Sequence, residues 1–209
     1  TAHPGYFELI NSGATQAMNQ VGGTGAGKDL GVWTIGDANN PLKVILPPAP
    51  EEPVFYDADA TPTESDEWYY MQFCNGSFNW IAPSTVGGQV TVTAAVQYKE
   101  EMMWRFIGDK NSFKLMNKKG EYAFFDGTDE NGSLKTSASD GDTDAYKFSL
   151  VVSKGSYAQA WEIKPTVVTS TDHPHLNMYQ GATEGHSIAV WTAADGGNPM
   201  KFIPLSAIE

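Results

Sequence analysis

The sequence is poor in cysteine, in basic residues and in long apolar runs, and each shortage argues against a class of protein. Cys74 is its one cysteine, so no internal disulfide can form, and a secreted form must be held by packing alone. A buried, unreactive thiol is the expected role. Lys and Arg number 13 against 25 Asp and Glu, a formal net charge of −12. Nucleic acid is therefore not an expected partner, because binding a polyanion depends on bases that displace counterions from phosphates. No apolar stretch reaches the ~20 residues of a membrane span, so no membrane insertion is expected, and no charged-then-apolar leader precedes Thr1. Catalytic signatures are missing too. Cys74 has no His within its repeat unit, and no Ser stands in a nucleophile-elbow context, so the expectation is a protein that is not an enzyme.

What the sequence does hold is aromatic residues and turn formers. Six Trp, nine Tyr and ten Phe supply apolar bulk, and 21 Gly with 12 Pro imply many turns. That mixture points to an all-β protein. One glycine cluster, "GGTGAGKD" (Gly22–Asp29), fits all but the last position of a phosphate loop. Asp29 stands where a Ser or Thr must hold magnesium. The residues that follow, Leu30 to Ile35, alternate with a period of two instead of opening the helix such a loop requires.

A repeat explains the cluster better. Met18–Ile45 aligns without a gap to Leu176–Ile203, sharing Asn, two Gly, Val-Trp-Thr, Asp, Asn-Pro, Lys and Ile, while the loop itself becomes "QGATEGHS". The loop is thus read as a connection between strands. Two more divergent copies lie between. Each unit opens on an alternating strand, at Tyr6–Asn11, Trp68–Phe73, Ser112–Asn117 and Ala160–Pro165. Each closes on an apolar residue, a base and another apolar residue: Leu42-Lys43-Val44, Trp104-Arg105-Phe106, Tyr146-Lys147-Phe148 and Met200-Lys201-Phe202. Two further short strands are predicted in between, as at Phe78–Ala82 with Val90–Thr93 and Tyr122–Phe125 with Leu134–Thr136.

Four short strands in about 40 residues fit a propeller blade or a trefoil lobe, and the blade signatures are absent. Three lobes close a trefoil and remove its strand edges. The fold expected is therefore a β-trefoil of three lobes at 67–209, preceded by one extra trefoil-like lobe at 1–48. The segment between, 49–66, falls in a stretch with five prolines, six acids and no base over Pro47–Asp66. It reads as an extended, self-repelling connector. The extra lobe would be the last lobe of an upstream trefoil, be completed by a neighbouring domain or a second chain, or dock on the main trefoil.

These lobes resemble the ricin-type β-trefoil, whose lobes end in a Gln-x-Trp motif. Asn40 or Asn198 takes the Gln position here, and Trp survives at Trp104. "MNQVGGTGAGKDLGVWTIGDANNPL", "SDEWYYMQF" and "AWEIKP" are similar to trefoil modules of secreted or surface-anchored bacterial glycan-degrading proteins. The resemblance implies a lectin-like, non-catalytic module in a secreted or cell-surface protein, with a glycan as partner and no cofactor or metal. It places sugar-binding positions at Asn177, Trp191, Asp195 and Asn198 in the last unit, and at Asn19, Trp33, Asp37 and Asn40 in the first. An indole face packs on a pyranose, and amides and carboxylates satisfy its hydroxyls. The family pattern has Asp where this sequence has Asn177 and Asn19, which removes a charge-assisted acceptor.

Plainer roles stand beside these. Asn19, Asn79 and Asn177 would serve as Asx turn residues, Asp37 and Asp195 as turn acceptors, and Trp33 and Trp191 as lobe packing. A spacer without a ligand is then the functional alternative. Acidic loops at Gly127–Gly132 and Ser139–Asp144 support another, a protein-binding or protease-inhibitor trefoil. Asp172, His173, His175 and His186 are suitable ligands for zinc but fall short of a site without fixed geometry.

Overall fold

The computed structural model describes residues 10, 16–20, 29–35, 40, 50–95, 99–154, 157–193 and 195–207. The chain divides into two compact units, Thr1–Pro47 and Pro48–Glu209. In the first, strands β1 (Gln16–Gln20) and β2 (Leu30–Thr34) form an antiparallel hairpin with Met18 opposite Val32. The strand expected at Tyr6–Asn11 is described only at Ile10, which bridges to Ala17. Asp37 and the closing Leu42–Val44 lie outside the described residues.

The second unit carries β3 (Phe55–Tyr56), β4 (Tyr69–Phe73), β5 (Asn79–Ile81), β6 (Thr91–Thr93), β7 (Met103–Asp109), β8 (Ser112–Asn117), β9 (Tyr122–Asp126), β10 (Ser133–Ser137), β11 (Phe148–Val152), β12 (Trp161–Pro165), β13 (His175–Met178), β14 (Ile188–Trp191) and β15 (Met200–Pro204). Strand β4 pairs with β7, β7 with β8, β8 with β11, β11 with β12, β12 with β15, and β15 again with β4. Six strands therefore close a barrel with no free edge. The remaining pairs, β5–β6, β9–β10 and β13–β14, are three hairpins, held together by the bonds from Val90 N to Leu134 O (2.8 Å) and from Val92 N to His186 O (3.0 Å). This is a β-trefoil, with lobes β4–β7, β8–β11 and β12–β15. No helix among the described residues is long and apolar enough to cross a membrane.

Period-two alternation sets what fills the barrel. Along β7, Trp104 and Phe106 share one face and join a continuous core with Phe113, Phe148, Ile163 and Met200. The opposite face presents Met103 and Ile107, which join Trp68, Tyr70, Met102 and Met116 in a second apolar cluster. Arg105, between them, is fully buried.

That arginine corrects the reading of the acidic segment as an extended connector. Residues 50–66 pack on the trefoil instead. Arg105 Nη1 donates to Asp66 Oδ2 at 2.5 Å, and Nη2 donates to the Ala60 carbonyl at 3.0 Å. The Tyr56 ring lies 4.4 Å from the guanidinium carbon. Strand β3 pairs in parallel with β7, and Phe55 places its ring 5.5 Å from Phe106 and 5.8 Å from Phe113. Trp161 Nε1 donates to the Glu51 carbonyl, and Val54 N to the Tyr69 hydroxyl. A buried guanidinium without a counter-ion would be costly, and the acidic segment supplies one.

Candidate functional site

The third lobe forms its hairpin because Leu176 and Met178 on β13 and Ile188 and Val190 on β14 turn into the core, which leaves the alternate side chains Asn177 and Trp191 for the other face. The turn after β13 bends sharply: Gly181 N bonds to Met178 O, and Gln180 takes a φ of +63°. Only glycine adopts that region without strain, and the first unit has Gly22 at the matching position.

Beside this turn lies an open pocket of about 370 Å³ lined by Asn75, Asn177, Tyr179, Gln180, Trp191 and Asp195, with the Gly197 backbone at its wall. Asn177 Nδ2 donates to Asp195 Oδ1 at 2.9 Å and to Asn198 Oδ1 at 2.7 Å. A carboxylate only accepts, so the Asp195 contact fixes which way the Asn177 amide points. Asp195 Oδ1 also accepts from Gly197 N at 2.8 Å, the turn bond expected of it. A Cβ on Gly197 would stand 2.7 Å from Asn177 Nδ2 and 3.1 Å from Asp195 Oδ1, so only glycine lets this backbone approach so closely.

Trp191 is 38% exposed. Its ring is parallel to His173, with centroids 4.6 Å apart and planes 8° apart, and Tyr179 meets it edge-on. One indole face is thereby covered and the rest of the ring borders the pocket. Rings at 38% and, for Trp33, 58% exposure are not the lobe packing that a spacer would use them for.

Asn198 belongs to the scaffold. It is fully buried, accepts from Asn177, and donates to the Thr192 carbonyl at 2.8 Å. The same arrangement stands in the first unit, where Asn19 Nδ2 donates to Asn40 Oδ1 at 2.7 Å and Asn40 Nδ2 to the Thr34 carbonyl at 2.7 Å. Asn19 and Asn177 thus sit in strands and tie the hairpin to the closing segment. They are not turn residues. The Asp195 carboxylate lines the same pocket as Asn177.

Beneath the site, Ser153 Oγ donates to Glu162 Oε1 at 2.8 Å, and His175 Nδ1 lies 2.7 Å from Glu162 Oε2. Both of these atoms are buried, with no aligned hydrogen-bond partner among the described residues. Burial pushes the Glu162 carboxyl up, but His175, Ser153 and Asn198 together outweigh it and hold it below its ordinary value. The histidines separate: His173 stacks on Trp191 and faces Glu130, His175 meets Glu162, and His186 Nδ1 bonds to the Gly181 carbonyl. Among the described residues no cluster of three or more His, Cys, Asp or Glu could hold a metal ion. Burial pushes the half-buried Cys74 thiol up against a smaller opposing effect of Lys201, which lowers its reactivity at neutral pH.

Sequence reasoning missed Tyr179, Gln180 and Asn75. Tyr179 had a signal, an aromatic two residues after Asn177. Asn75 comes from the first lobe and had none.

A closed six-stranded barrel and three capping hairpins define a β-trefoil. No protein-family model matches the sequence, and no curated protein matches it. Among solved structures, a ricin B-like lectin of Macrolepiota procera in complex with lactose is 15% identical with a TM-score of 0.53, covering 68% of this chain and 99% of its own. A GlcNAcα1-4Gal-releasing endo-β-galactosidase from Clostridium perfringens is 12% identical with a TM-score of 0.51, covering 68% of this chain and 33% of its own. A mosquitocidal holotoxin, 11% identical with a TM-score of 0.53, covers 98% of this chain and 24% of its own. At such identities the likeness shows the fold.

Proposed function

We propose that this chain is a non-catalytic, lectin-like module that brings a larger secreted or cell-surface protein to glycans, with the third-lobe pocket as its sugar site. The observation that carries this reading is the convergence of an exposed indole, Trp191, with the Asp195 carboxylate and the Asn177 amide around one open pocket. A pyranose stacks its C–H surface on the indole, and Asp195 Oδ2, which accepts no bond from the described residues, takes a sugar hydroxyl. Met178 and Tyr179 add apolar wall. Among the described residues no Lys, Arg or His lines the pocket, so the site favours neutral over acidic sugars, whose charge would face Asp195 unpaired.

The protein-binding alternative rests on the acidic loops, where Asp140 pairs with Lys114 and Asp142 with Lys147, while Asp129, Glu130 and Asp144 have no Lys or Arg ion pair among the described residues.

A glycan array followed by calorimetric titration tests the proposal. Neutral glycans should bind, acidic forms of the same glycans should bind more weakly, and Trp191→Ala should lose about tenfold or more in affinity. An intact protein that binds no glycan on the array or in titration at millimolar sugar would falsify the reading.

A further inference from the structure

Unit one repeats the hairpin register of the third lobe and two of its side-chain bonds, but not its burial. Met18 opposite Val32 and Leu176 opposite Val190 are the same register displaced by 158 residues, and the Asn-to-Asn and Asn-to-carbonyl bonds recur at the same offset. In the third lobe Ile188 and Val190 are both 0% exposed, whereas their counterparts Leu30 and Val32 are 65% and 60% exposed. What covers Ile188 and Val190 is on view. Val90 and Val92, around β6, and Leu134, on β10, share their core cluster. The contact is also stitched through the backbone, by Ile188 N to Val90 O, Val92 N to His186 O and a bridge between Thr91 and Ser187. The first and second lobes thus seal this face of the third.

We propose that the Leu30–Val32 face is an interface for two further β-trefoil lobes, which precede unit one in the same polypeptide and make it the third lobe of a second trefoil. The order follows from unit two, where the sealing lobes precede the lobe they seal. The partner's chemistry follows as well: a Val-x-Val strand edge like Val90–Val92, offering its backbone N–H and C=O, and a leucine placed like Leu134. Strand alternation puts Leu30 and Val32 on the face opposite Trp33, so a sugar on Trp33 would not cover them. The holotoxin match extends over 98% of this chain against 68% for the single-trefoil lectin, as a fold in which such a lobe precedes a trefoil would. The proposal is independent of sugar binding.

The test adds lobes to the whole chain. Residues 48–158, which keep the segment that pairs with Arg105, are fused directly ahead of residues 1–209, because residue 1 stands at the position of residue 159 in the 158-residue register. Hydrogen exchange is then compared with that of the 209-residue chain. The amides of β1 and β2 should slow by about 100-fold, as for a segment moved from local opening into a cooperative core, and the fusion should be monomeric by light scattering. Leu30→Asp with Val32→Asp in the fusion should abolish the slowing and leave the melting of residues 67–209 unchanged. Amides that exchange equally fast in both proteins overturn the proposal, as do added lobes that stay unfolded. A 209-residue chain that self-associates and is dissociated by the double substitution also overturns it, because a second copy would then be the occupant.

Discussion

Two residues of one pocket should fail in opposite ways. Trp191 is partly exposed and borders the cavity, so Trp191→Ala should leave the melting temperature nearly unchanged while glycan affinity falls. Asn198 is buried, and Asn198→Ala would leave the Asn177 amide and the Thr192 carbonyl each short of a partner. That should cost about 1–3 kcal/mol per group, read as a lower melting temperature. Affinity should fall only as Asn177 loosens. This contrast also marks what the sequence could express. Trp191, Asp195 and Asn177 were legible because the repeat singles them out. Whether an asparagine meets a ligand or a neighbour depends on where both its amide hydrogens go, and residues distant in sequence decide that. His173 was legible as chemistry but not as a ring stacked on Trp191.

At the scale of elements, the segment from Pro50 to Asp66 is defined by one charge. Arg105→Ala removes the buried partner of the Asp66 carboxylate and the Ala60 carbonyl, and should destabilise unit two by about 3–5 kcal/mol, as breaking a buried pair does. Asp66→Asn keeps an acceptor but leaves the buried guanidinium without its counter-ion, and should cost a comparable amount; chemical denaturation of both variants checks this. Acid acts on the same contacts. Burial raises the Asp66 carboxyl, but the Thr63 bonds and Arg105 outweigh it and hold it low, and Glu162 is held low in the same direction. Carboxyls with depressed folded values contribute stability that is present above their ordinary values of 3.8 and 4.5 and lost as pH falls through the folded ones. Melting temperature should therefore be flat from neutrality down to about pH 5 and then drop, and Glu162→Gln should blunt the drop. The composition of this segment resembles that of a free connector because proline and acid are solvent-tolerant. Proline also lacks an N–H, so such a segment can lie against a barrel with fewer donors to satisfy. Only Arg105, 39 residues beyond Asp66, carried the sign that it does.

At the scale of the molecule, three lobes were legible from the repeat, since opening strands and hairpins recur with alternation intact, although in the second lobe the closing strand β11 starts only at Phe148, the last residue of the expected triplet. The part β3 plays in the barrel wall was not, because a two-residue parallel pairing has no periodicity to read. The consequence for truncation is direct. A chain beginning at Glu67 lacks Phe55, Tyr56 and Asp66, and should melt well below one beginning at Pro48, by several degrees for each kcal/mol lost; calorimetry on the pair checks this. Chain order also gives the clasp a mechanical meaning. A pull arriving from the first unit reaches Glu51, the Phe55–Tyr56 pairing and the Asp66–Arg105 contact before it reaches any strand of the closed barrel. Those contacts should peel first and release roughly 60 Å of extended chain, so under load the segment would act as a shock absorber, lengthening while the barrel stays shut; pulling on single molecules checks this.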